Sequence, residues 1–107
     1  MRGIYFINNR ISLNGLSWED SFKLQEEELL RYIEKQQIQI VKLDPYQIYR
    51  HYTILHALLY DLKQARAQFD CLTIYSPEVI EDFVYAYPAR WLLIKSYFEQ
   101  TIPLHSQ

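Results

Sequence analysis

The chain has 107 residues, 50% hydrophobic and 16% aromatic, with two glycines and four prolines, a composition that excludes a disordered or low-complexity segment. A chain of this length buries about two thirds of the surface its unfolded form exposes, so one ordered unit needs no disulfide or metal staple. The formal net charge of −2 excludes the basic field that draws a protein onto phosphates, and DNA binding by the isolated chain is not expected.

The single cysteine, Cys71, cannot form an internal disulfide, and the first residues lack the basic-then-apolar pattern of a secretion signal. Together they lead to the expectation of a reducing, cytoplasmic setting. No apolar run approaches the ~18 residues of a membrane span.

In chain order, "RGIYFIN" over residues 2–8 is rich in Ile, Tyr and Phe, as in a strand covered on both faces, and "NNRISLNG" after it has loop chemistry. "SWEDSFKLQEEELLRYIEKQ" predicts a helix from Ser17: a serine cap with Asp20 three residues on, apolar Phe22, Leu29, Tyr32 and Ile33 at helical spacing, and Arg31 and Lys35 in the last turns. "IQIVKL", 38–43, predicts a second strand that stops at Asp44-Pro45. A second helix is expected over 47–68, striped by Ile54, Leu55, Leu58, Leu59 and Leu62.

"FDCLTIYS" predicts a third strand over 69–75, and Ser76-Pro77-Glu78 a helix start. A further helix over 88–100 and a short strand over 101–105 complete the order β-α-β-α-β-α-α-β. That order predicts a three-layer α/β/α domain over residues 1–107 with a four-stranded, mainly parallel sheet in the order 2-1-3-4. Ligands of such sheets sit at the carboxyl ends of the strands, here Asn8 to Ser12, Asp44 to Tyr49 and Ser76 to Glu78.

At those strand ends the chain resembles the catalytic domain of the serine recombinases, the resolvase and invertase family. Tyr5 stands at the family's strand-one tyrosine, Ser21 and Gln25 at the serine and glutamine that open its first helix, and "LLYDLKQARAQFDCLTIYS" is similar to its second helix and third strand. The resemblance implies a resolvase-like fold, and it also implies that the chemistry is missing. Ile7 stands where the family has its first arginine and Asn9 where it has the nucleophilic serine. Its Asp-Arg-x-x-Arg motif, aligned through "YSPEVIED", falls on Glu78, Val79 and Asp82, and the arginine that opens its second helix falls near Tyr52.

Phosphoryl transfer to a serine needs a hydroxyl nucleophile and several guanidinium groups around the phosphodiester. An asparagine is no nucleophile, and Asp82 repels a phosphate. Ser12 with Arg10 as a displaced nucleophile lacks the further arginines, which leaves an ordinary loop serine. The expectation is a pseudoenzyme with no catalytic residue and no cofactor.

His51 and His56, five apart on the expected helix, do not share a face as a metal-binding pair does, and Cys71 reads as a small core residue. No metal site is expected. Tyr46, Tyr49, Tyr52, His56 and Tyr60, spaced by three and four, either cover the sheet edge or form a partner surface. "YAYPARWLLIKSYF" is too apolar for a lone surface helix, so Trp91, Tyr97 and Phe98 either fill the core or pair with another copy in a homodimer.

The function expected first is a non-catalytic module that binds a protein partner or itself. A regulatory subunit in DNA recombination or another DNA transaction is the alternative, and it requires Arg50, Lys63 and Arg66 to converge with Arg10 on one face. A small-molecule sensor using Asp44 and Asn8 in the strand-end cleft is a third.

Overall fold

The computed structural model describes residues 1–106. Four parallel strands, β1 (Arg2–Tyr5), β2 (Gln39–Ile40), β3 (Phe69–Ile74) and β4 (Phe98–Pro103), form one sheet in the order β2-β1-β3-β4. The helices are α1 (Trp18–Gln36), α2 (Leu55–Ala65), α3 (Glu81–Ala86) and α4 (Pro88–Lys95). The α/β class, the parallel pairing and the strand order are those the sequence predicts.

Right-handed crossovers decide which face each helix covers. The step from β1 to β2 places α1 on one face, and the return across β1 to β3 places α2 on the other. The next step, to β4, continues in the second direction, so α3 and α4 join α2. Strand alternation then divides the core: Tyr5, Ile7 and Cys71 pack with Leu29 and Ile33 of α1, whereas Ile4, Phe6, Leu72 and Ile74 pack with Leu58 and Leu62 of α2 and Trp91 and Ile94 of α4. At Gly3 the two central strands approach so closely that a Cβ would stand 2.7 Å from Cys71 Sγ and 2.9 Å from its carbonyl oxygen.

The helix from Ser17 forms as predicted, with the Ser17 hydroxyl accepting from the Asp20 N–H at 3.1 Å and Glu19 and Asp20 at the positive end of the helix dipole. It ends on Gln37 in the left-handed conformation, φ 55°. The other boundaries need correction. The second helix begins at Leu55 and not at Gln47, because Tyr52 is drawn into the sheet: its N–H donates to Tyr5 O at 3.1 Å and its carbonyl accepts from the Ile7 N–H at 2.9 Å.

Residues 41–51 therefore form an excursion, turned at Asp44, whose carboxylate accepts from the Tyr46 N–H. The second strand shortens to Gln39–Ile40 for the same reason. The last helix stops at Lys95 and the last strand starts at Phe98, since the Phe69 N–H already takes the Tyr97 carbonyl at 2.9 Å. No helix among the described residues is long and apolar enough to cross a membrane.

Candidate functional site at the strand carboxyl ends

The tip of β1 is held by side chains of α1. Gln25, fully buried, accepts from the Asn8 N–H at 3.0 Å through Oε1 and donates from Nε2 to Asn8 O at 2.9 Å and Ser21 O at 3.2 Å. Ser21, also fully buried, accepts from the Leu13 N–H at 2.9 Å. The Asn8 side chain donates to Val79 O at 2.9 Å and accepts from the Arg10 N–H at 2.8 Å. Each bond satisfies a backbone group that would cost about 1–3 kcal/mol if buried unpaired. Ser21, Gln25 and Asn8 thus brace the loop from Asn8 to Leu13.

Ile7 is completely buried against α1. Val79 is buried on the other side of the sheet, while Asn9, Glu78 and Asp82 are exposed. Among the described residues no hydrogen bond or ion pair joins Asp82 to the β1 tip. Ser12 donates its hydroxyl to Leu16 O, a local turn contact with no base beside it. Tyr5 lies within the α1-side core, and burial pushes its phenol above the ordinary value, with Arg50 opposing and Glu26 adding to the rise.

Asn9 is the hub of three adjoining depressions. One of about 340 Å³ is walled by Phe22, Glu26, Tyr49, His51 and Thr53. The second, about 430 Å³, runs along Trp18, Glu19, Phe22 and Lys23, and the third, about 290 Å³, lies among Asn8, Arg10, Thr53 and Ile54. His51 sits among three rings, with centroids 5.8 Å from Tyr5, 5.5 Å from Phe22 and 5.3 Å from Tyr49. Burial lowers its pKa, with Glu26 opposing.

Trp18, Phe22, His51 and Thr53 were not among the residues that sequence reasoning assigned to a site. The one signal for the first two is their i, i+4 spacing on the opening turns of α1, at the end where the strands finish.

The sequence-predicted partner surface divides. Tyr49 and Tyr60 are well exposed. His56 is exposed but leans on the rings of Phe83 and Tyr87 at 5.0 and 4.6 Å, and Tyr97 is half-buried. Tyr52, Trp91 and Phe98 must be withdrawn from that surface, because all three are core residues. Tyr52 donates its hydroxyl to Asp61 Oδ2 at 2.6 Å, and burial followed by that bond raises its pKa well above the tyrosine range. Trp91 and Ile94 point α4 inward and leave Leu92 and Leu93 outside.

The cations also divide. Arg10 and Arg50 belong to segments at the carboxyl ends of the strands, whereas Lys63 and Arg66 close α2 at the opposite end, just before β3 begins. Asp44, proposed with Asn8 as a ligand contact, is engaged in its own turn. In comparisons with known proteins, no family model, no curated protein and no solved structure matches the chain.

Proposed function

We propose that this chain is a catalytically inactive, resolvase-like module that binds a protein partner at the strand carboxyl ends. One observation carries the reading: the side chains of Asn8, Ser21 and Gln25 at the β1 tip are bound to backbone, while the rim around them is aromatic and open. On that rim Trp18 is 58% exposed and Tyr49 65%. Trp and Tyr offer a large contact area at a small entropic cost, which is why they dominate interface hot spots.

Reaction chemistry is poorly supported at this tip. A hydroxyl nucleophile with converging cations is the minimum for phosphoryl transfer, and the positions in question hold Asn9, buried Ile7, buried Val79 and acidic Asp82. The separation of Arg10 and Arg50 from Lys63 and Arg66 also weighs against the regulatory DNA-contact reading, which needs the four on one face.

The test is crosslinked capture from native lysate with the unmodified chain and with a Trp18→Ser/Tyr49→Ser variant of unchanged thermal stability. A protein held by the first and lost from the second is expected. Equal recovery by both chains, or no specific protein with either, would contradict the reading.

A further inference from the structure

A single helix cannot cover four strands. With strands about 4.8 Å apart, the outer two are separated by roughly 14 Å, while a helix with its side chains is about 10–12 Å wide. On the face that carries α1 alone, the β4 side is consequently left open. Ile102 and Leu104 are only partly buried there, packed at the margin of the α1-side core.

Beside them runs a groove of about 300 Å³, walled by Arg31, Tyr32 and Lys35 of α1 and by the segment from Ile102 to His105. Glu28, Arg31, Tyr32 and Lys35 follow the i, i+3, i+4, i+7 spacing of one helix face, so the groove extends about 10 Å along α1. At its upper end Glu28 is engaged by His105, with Nε2 and Oε1 2.8 Å apart. That is the one ion pair among the described residues, so Arg31 and Lys35, both exposed, stand over an apolar floor with no carboxylate partner.

A second, independent feature adjoins the groove: β4 is an edge strand. In a parallel ladder the N–H and C=O of alternate residues point to alternate sides. The Phe69 N–H to Tyr97 O bond and the pairing of Phe69 with Phe98 and Cys71 with Gln100 turn Tyr97, Glu99 and Thr101 toward β3. The backbone groups of Phe98, Gln100 and Ile102 then face the open edge. Pro103 removes a donor on the β3 side, where the Leu104 N–H takes Ile74 O at 3.0 Å, and so leaves the free edge intact. The strand carries no lysine or arginine to block it, although such charges are a common protection of exposed edges.

We propose that the β4 edge and this groove together receive an extended peptide strand of a partner protein, whose groove-facing positions, every second residue, carry apolar and acidic side chains in turn. Main-chain bonds to Phe98, Gln100 and Ile102 supply the pairing, and the groove supplies selectivity. An apolar side chain of the guest lies on Tyr32, Ile102 and Leu104. The next groove-facing side chain, two residues along the guest, is a carboxylate that meets Arg31 and Lys35, which are complementary to an acidic guest and repel a basic one. This surface is separate from the strand-end rim and stands or falls independently of it.

The test is an amide NMR titration of the full chain with a blocked eight-residue peptide, Val-Thr-Glu-Thr-Val-Thr-Glu-Thr, which sets valine and glutamate in turn on one face, beside a peptide carrying lysine for glutamate. Shifts confined to Tyr32 and residues 98–104, slowed exchange of the Gln100 and Ile102 amides, and at least tenfold weaker binding of the lysine peptide are expected. Arg31→Gln/Lys35→Gln, at exposed positions, should weaken the acidic peptide about tenfold. Gln100→Pro, which removes an edge donor, should abolish pairing.

Equal affinity for both peptides, shifts located elsewhere, or no response at millimolar peptide would overturn the proposal. So would concentration-dependent self-association lost in Gln100→Pro, because the edge would then belong to a second copy of this chain.

Discussion

Ile7 shows how a single side chain can bear on function through packing alone. In the proposed resolvase-like reading its position corresponds to an arginine, yet the residue is completely enclosed by the α1-side core. A guanidinium there would be buried without a partner, a situation that costs about 3–5 kcal/mol or more. Ile7→Arg is therefore expected to lower unfolding stability by at least ~3 kcal/mol in urea titration, against about 1 kcal/mol for Ile7→Val. A stable, well-folded Ile7→Arg protein would mean that the tip can open to admit the charge.

His51 gives a pH signature at the same scale. Burial among Tyr5, Phe22 and Tyr49 lowers its pKa in the folded chain, so the unfolded chain takes up a proton first as pH falls through about 6.5. Its contribution is complete above that pH and is lost on acidification down to the folded-state value. Stability measured between pH 7.5 and 5 should decline, and His51→Gln should flatten the decline. An unchanged slope in the variant would show that another group carries it.

Among the elements, those specified by local chemistry were legible in the sequence. The Ser17 cap, the acidic first turn and the apolar spacing of α1 are all present in one continuous segment, and the helix forms there. The excursion over 41–51 was not legible, because what stops a helix at Gln47 is the pairing of Tyr52 with the tip of β1, a partnership about 46 residues away in the chain that no local propensity reports. The site followed the same rule. Its place at the strand ends came from the order of elements, but the convergence of Trp18, Phe22, His51 and Thr53 around Asn9 depends on that same tertiary pairing.

The helix ends offer a further test at this scale. Gln37 terminates α1 at φ 55°, where a side chain costs about 1–2 kcal/mol relative to glycine, part of which glycine returns as unfolded-state entropy. Gln37→Gly should gain about 0.5–1 kcal/mol by thermal unfolding, and a loss would contradict the strained-cap reading.

Across the whole molecule, the uneven distribution of helices leaves two separate surfaces uncovered. Three helices on one face bury Trp91, Ile94 and Phe98, which is why the apolar carboxyl-terminal segment is consumed in the core and contributes only Leu92 and Leu93 to the outside. The single helix on the other face leaves the β4 margin uncovered. The carboxyl ends of the strands, where α/β sheets of this kind place their ligands, present aromatic rings around a hydrogen-bonded brace.

Loss of one preorganised charge-stabilising group typically slows a reaction about a hundredfold or more, and the proposed non-catalytic reading assigns this brace neither those groups nor a nucleophile. The most direct measurement is therefore incubation of the purified chain with supercoiled plasmid, with a catalytically competent resolvase and its own site as the positive control. No nicking, no relaxation and no covalent adduct are expected from this chain. A covalent protein–DNA adduct formed by the unmodified chain and abolished by Ser12→Ala would contradict the non-catalytic reading and place the nucleophile three residues beyond Asn9.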